Sequence, residues 1–225
     1  MPVVPHRFLF RYRIPIPHVE RRSGGARAFL DLDEAAFFPD FGALDEAAPF
    51  AKIQAGWNES GIGFRVSVTG KKMPVAQVSD EPRESDGFQL WLDTRNTQTI
   101  HRASRFCHHF AFLPGSASSP GGQGRKNGAA AFQFSIALAK EDAPSNRVGL
   151  LRVASRPVPG GYVLDTWIPA ESLAGYDPDA NPLLGFYYVV RDAELGEQFL
   201  AIGRDFPFDH DPSLWSTLEL TRSIA

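Results

Sequence analysis

The chain has a single cysteine, Cys107, among 225 residues. One thiol cannot close an internal disulfide, and it rules out zinc or iron–sulfur centres built on clustered cysteines. Long apolar runs are also missing, so no segment reads as a membrane-spanning helix. The opening residues, MPVVPHRFLFRYRIPIPH, carry basic side chains but neither the apolar stretch nor the small-residue cleavage site of an export signal. These absences predict a cytoplasmic protein. Charge is nearly balanced: 23 Lys and Arg stand against 26 Asp and Glu, for a net charge of −3. Neither nucleic acid nor an anionic membrane is therefore the expected partner.

Nucleotide and hydrolase signatures are lacking too. Gly70-Lys71 is not followed by Ser or Thr, and its spacing from Gly63 does not fit a phosphate-binding loop. Gly122-Gln123-Gly124 falls between two strand patterns instead of ahead of a helix, so it reads as loop chemistry. There is no Gly-x-Ser-x-Gly elbow and no His-Glu-x-x-His pair. Helical periodicity is poor, with short turns around Leu32–Phe37 and Glu171–Ala174 as the best candidates.

What the chain does have is aromatic and aliphatic residues at every second position. The hydrophobic share is 43% and the aromatic share 12%, with 18 Phe. That is enough to fill the core of one all-β domain spanning 1–225. Phe8, Phe10, Tyr12 and Ile14 alternate with Arg7, Leu9, Arg11 and Arg13. Residues 50–57 and 62–68 flank the turn Asn58-Glu59-Ser60-Gly61, which predicts a hairpin. Further alternation marks 88–93, 106–113, 132–138, 149–156, 161–168, 184–191, 197–203 and 215–221. The pattern predicts an antiparallel β-sandwich of roughly ten strands with short helical turns. Residues 114–130, PGSASSPGGQGRKNGAA, read as a mobile loop.

The strand at 88–93 carries the most chemistry. Phe88, Leu90 and Leu92 share one face, which leaves Gln89, Trp91, Asp93 and Arg95 on the other. An aromatic ring beside planar polar groups is the kit that binds sugars. Trp167 is likewise out of phase with the apolar face of its strand, and it shares its side with Asp165. Trp91 and Trp167 are thus candidate stacking rings. Gln89, Asp93, Arg95 and Asp165 are candidate partners for hydroxyls, with His109 or Arg191 nearby. The same residues also admit plainer roles. The rings can be core, and the acids can pair with Arg65, Arg95 or Arg191. His108 and His109 point to opposite faces and do not suit one metal ion. Asp31, Asp33 and Asp40 lack calcium-loop spacing and read as turn and cap residues. A glycoside-processing enzyme would need Asp93 and Asp165, or Asp93 and His109, to converge. A protein-interaction surface is a further alternative. No cofactor follows from these residues.

Two segments resemble a known family. One is AKIQAGWNESGIGFRVSVTGK followed by SDGFQLWLDTR; the other is GGYVLDTWIPAESLAGYDPDANPLLGFYYVVRD, closing with PSLWSTLEL. Their order and spacing are similar to the carbohydrate-binding module family 9 domains, within the wider DOMON-like group of sandwiches, over residues 29–221. The resemblance implies a sandwich that binds a saccharide without catalysis, often in proteins that also carry glycoside hydrolase domains. It implies a sugar end held between two tryptophans, for which only Trp91 and Trp167 offer themselves, and structural calcium. Haem is a ligand in related groups of the fold. The sequence departs from the family in HRASRFCHHFAFLP and the Gly/Ser loop that follows it.

Overall fold

Among the described residues eleven strands form, because extended segments with alternating apolar residues can each bury one face, and most here bury both. The computed structural model describes residues 10–20, 30–32, 36–39, 48–78, 80–115, 128–144 and 148–222. In chain order the strands are β1 (Arg13–Pro17), β2 (Ala51–Asn58), β3 (Gly61–Thr69), β4 (Gly87–Asp93), β5 (Cys107–Leu113) and β6 (Ala130–Phe134). They continue with β7 (Arg152–Val158), β8 (Gly161–Pro169), β9 (Leu183–Asp192), β10 (Gly196–Phe199) and β11 (Ser216–Thr221). Short 3-10 turns lie at Pro82–Glu84, Val148–Leu150, Ala170–Ser172 and Pro212–Leu214.

The strands make two sheets. The larger has seven strands in the order β1-β11-β9-β4-β5-β6, with β10 also paired to β9; the smaller runs β2-β3-β8-β7. Pairing between strands is antiparallel except that β1 lies parallel to β11. The predicted antiparallel sandwich therefore holds, with one parallel strand at an edge. The strand predicted from residue 7 begins at Arg13 among the described residues, and residues 7–9 lie outside them. The strand predicted over 132–138 is β6, ending at Phe134. Leu138 takes φ +57°, a turn conformation that ends any continuation of the strand. The expected loop at 114–130 and the Gly122-Gln123-Gly124 run fall mostly or wholly outside the described residues.

The sheets pack through aromatic rings. Phe64 of β3 stacks on Phe186 of β9 with centroids 5.5 Å apart and planes 4° apart, and meets Phe88 of β4 at 5.6 Å. Leu90, Leu92, Phe110 and Phe112 from the larger sheet, and Val66, Val68, Leu164 and Ile168 from the smaller, are also buried. Trp57 joins the two layers at one end. Its Nε1 donates toward Ile16 O at 3.2 Å and Thr221 O at 3.3 Å.

The outward faces are covered as well. On the smaller sheet Gly56, Gly63 and Trp167 sit in cross-strand register. A Cβ on Gly63 would come within 2.6 Å of Leu30, 2.9 Å of the Thr166 carbonyl and 3.0 Å of the Trp167 ring. A Cβ on Gly56 would meet Val19 at 2.6 Å and Leu32 at 2.9 Å. These glycines are small because side chains from the segment before β2 lie directly over them. Gly63→Ala should therefore destabilise the protein by about 1–3 kcal/mol through overpacking. Urea unfolding monitored by tryptophan fluorescence checks this, and an unchanged midpoint would contradict the packing described.

Candidate functional site

The outer face of the larger sheet gathers most of the residues singled out by the sequence. β4 presents Gln89, Trp91 and Asp93 there, because Phe88, Leu90 and Leu92 point at the smaller sheet. β5 adds His109 opposite Trp91, and β9 adds Tyr187 on the other side. The Trp91 and His109 rings stack at 4.2 Å and 11°. His109 Nε2 lies 3.2 Å from Gln89 Oε1, and Gln89 Nε2 donates to the Arg83 carbonyl at 2.9 Å.

Trp91 is not open to solvent; it is only 3% exposed. The chain after β10 folds back over it. Phe208 meets Trp91 edge-on at 5.5 Å and stacks on Tyr187 at 4.5 Å. The Tyr187 hydroxyl donates to the Ile202 carbonyl, and Trp215 Nε1 donates to the Phe208 carbonyl at 2.7 Å. Trp167 is fully enclosed at 0% and belongs to the other sheet, on its outer face beside Gly61 and Gly63. Trp91 and Trp167 therefore do not form the expected pair. The two rings lie on opposite outer faces of the sandwich, each sealed by a covering segment, and cannot hold one sugar between them.

The acids separate in the same way. Asp93 accepts from the Arg95 amide at 2.9 Å and the Thr97 amide at 2.6 Å, so it shapes the turn after β4. Burial is the main reason its pKa is raised, against those backbone bonds. Asp165 pairs with Arg65 at 2.8 Å on the smaller sheet; burial again raises its pKa, and Arg65 opposes the shift. Two carboxylates on opposite faces cannot flank one glycosidic bond. His109 is engaged by Gln89, not by Asp93. Arg95 lies over the Phe106 ring at 4.7 Å. Arg191 bonds Glu84 at 2.9 Å and Glu197 at 3.3 Å, away from both aspartates.

A Ser–His–Asp grouping does occur at the surface. His101 Nδ1 is 3.1 Å from Asp211 Oδ2 and 3.1 Å from Ser213 Oγ. Both contacts use one ring nitrogen, whereas a nucleophile–base–acid relay needs opposite nitrogens. Asp211 meanwhile caps the 3-10 turn by accepting from the Ser213 amide at 2.9 Å. A neighbouring cavity of about 100 Å³ is lined by Phe10, Arg11, Ala201, Ile202 and Ser213–Ser216. It falls below the roughly 300 Å³ at which ligand pockets begin. Among the described residues no group of three or more His, Cys, Asp or Glu could hold a metal ion. Of the three loop aspartates, Asp33 and Asp40 lie outside those residues.

Among the described residues, this aromatic face reaches solvent at β6. Register places Phe134 opposite His109 and Phe132 opposite Ala111, so both rings extend the Trp91–His109 row to the sheet edge. They are half-buried and stacked on each other at 6.0 Å and 20°. The exposed Arg83 guanidinium sits 5.4 Å from the Phe134 centroid. Phe132 and Phe134 were visible as an alternating pair in the sequence. Arg83 carried no such signal, because it reaches the row from the 3-10 turn before β4.

No protein-family model matches the sequence, and no curated protein matches it. Solved structures do. A carbohydrate-binding module family 9 domain from Caldicellulosiruptor kristjanssonii in complex with cellotriose aligns with a TM-score of 0.61 at 13% identity, over 95% of this chain and 95% of that chain. A structure described as such a module in complex with glucose aligns at 0.58 and 12%, over 95% and 97%. A putative carbohydrate-binding protein from Bacteroides uniformis aligns at 0.54 and 11%, over 94% and 100%.

The buried histidines predict a pH response. Burial, aided by Arg83, drives the His109 pKa down to about 3, and burial drives His108 down to about 4. Both fall below the ordinary value, so the unfolded chain takes up protons first. Stability is complete above about pH 6.5 and falls as pH drops toward those lowered values, by about 1.4 kcal/mol per pH unit per histidine. Urea titrations between pH 7 and pH 5 should show this loss, and His109→Gln should remove roughly half of it. An unchanged pH slope in that variant would contradict a buried neutral His109. The fold and these neighbours together establish what this chain is in architecture: a β-sandwich like those of carbohydrate-binding module family 9.

Proposed function

We propose that the protein is a non-catalytic saccharide-binding domain whose ligand lies on the β6 edge of the larger sheet. The observation that carries this reading is the aromatic row that leaves the covered interior at Trp91 and reaches solvent at Phe134 and Phe132, beside the Arg83 guanidinium. A pyranose presents an apolar face to such rings and hydroxyls to a guanidinium or amide. Gln89 and His109 support the platform from beneath, since their mutual bond fixes the ring against which Phe134 packs at 5.3 Å. Solved structures of the same fold in complex with cellotriose and with glucose support the choice of ligand class.

An open edge with two rings gives modest affinity. Each stacked ring contributes about 1 kcal/mol beyond the area it covers. Titration calorimetry with cellotriose and with glucose tests the proposal. Phe134→Ala should weaken binding by up to about tenfold, and Arg83→Ala should weaken it without changing stability. A glycan array without a hit would argue against the saccharide. Binding unaltered by both substitutions would argue against this edge as its site.

A further inference from the structure

Away from that edge, three charged side chains meet where the two sheets come together. Lys71, just past the end of β3, is buried, and the side chains of Asp86 and Asp192 are fully enclosed. Lys71 Nζ lies 2.8 Å from Asp192 Oδ1 and 2.7 Å from Oδ2, and 3.1 Å from Asp86 Oδ2. Contact with both oxygens of one carboxylate places the nitrogen beside its carbon, Cγ. Asp192 Oδ1 also accepts from the Glu194 and Leu195 amides, each at 3.0 Å. Asp86 accepts from the Ala193 amide at 2.7 Å and the Ala76 amide at 2.9 Å. The Tyr162 hydroxyl nearby is buried without a hydrogen-bond partner among the described residues, and burial together with the two carboxylates keeps it protonated.

We propose that Lys71 and Asp192 condense to an intramolecular amide, with Asp86 as the proton carrier. The arrangement holds the parts such a reaction needs. A nucleophilic nitrogen is pinned against a carboxyl carbon, which replaces a bimolecular encounter by a fixed geometry. A second carboxylate touches the nitrogen and can move its protons. Two backbone N–H groups aim at one oxygen of the electrophile, where negative charge develops. Bulk water is kept out.

Burial works against the Lys71 ammonium, but its bonds to Asp192 and Asp86 outweigh this and raise its pKa, so Lys71 rests as the ammonium. The reaction starts when Asp86 takes a proton from the ammonium and passes it to Asp192 Oδ2. The nitrogen lone pair then forms a bond to Asp192 Cγ, and Oδ1 takes the charge under the Glu194 and Leu195 amides. A second proton travels from nitrogen through Asp86 to Oδ2. The Cγ–Oδ2 bond breaks, one water leaves, and the carbonyl at Oδ1 reforms. Nitrogen keeps one hydrogen, Asp86 ends as it began, and nothing is oxidised or reduced.

Mass spectrometry of the purified full chain under denaturing conditions tests the proposal independently of any sugar. The expected result is an intact mass lower by one water than that of the linear chain. Peptide mapping should then show a branched peptide joining Lys71 to Asp192, with no tryptic cleavage after Lys71. Asp86→Asn, which cannot carry the proton, and Lys71→Arg should each restore the linear mass. A wild-type digest in which trypsin cleaves after Lys71 and Asp192 lies in an ordinary linear peptide would overturn the proposal, whether or not the variants fold. A branch at Asp86 in place of Asp192 would overturn it equally.

Discussion

Burial of both faces of the central strands is the constraint on which the rest of the structure depends. Nearly every residue of β4, β8 and β9 is removed from water. A two-layer sandwich hides only the inward set, so each sheet needs a second cover. On the smaller sheet Val19, Leu30 and Leu32 fill the space left by Gly56 and Gly63. On the larger sheet Phe208 lies over Trp91 and Tyr187, held by Trp215 through its carbonyl, and the Ile202 carbonyl accepts from the Tyr187 hydroxyl. The indole rings are structural for this reason. They anchor the covers, and among the described residues the aromatic row reaches solvent at β6, where the proposed saccharide would lie.

The polar groups follow the same logic. A charge that must sit inside such a layer needs a partner held in fixed geometry. Asp165 finds Arg65 across the β3–β8 pair. Asp93 finds two backbone amides at the strand end. Lys71, Asp86 and Asp192 find one another where β3 and β9 end and β4 begins, and Lys71 also donates its amide to the Gly160 carbonyl ahead of β8. That cluster ties both sheets at one end, as Trp57 does with β1 and β11 at the other.

Much of the fold was legible in the residues. The hairpin around Asn58-Glu59-Ser60-Gly61 forms as its turn chemistry requires, with Asn58 Oδ1 accepting from the Ser60 amide at 2.9 Å. The face shared by Gln89, Trp91 and Asp93 is also present as read. Lys71, Asp86 and Asp192 stood at the ends of apolar strands, where a charge is ordinary, and nothing local distinguished them from solvated strand ends. Their meeting depends on contacts separated by 15 and 121 positions along the chain.

The sequence by itself determined which residues share a face of a strand, because alternation is a property of the extended backbone. It could not determine whether an outward face meets water or another segment. That was decided by tertiary structure alone: the chain before β2 and after β10 returns across the sheets to cover more apolar area, and this places Trp91 and Trp167 inside while leaving Phe132 and Phe134 at the rim.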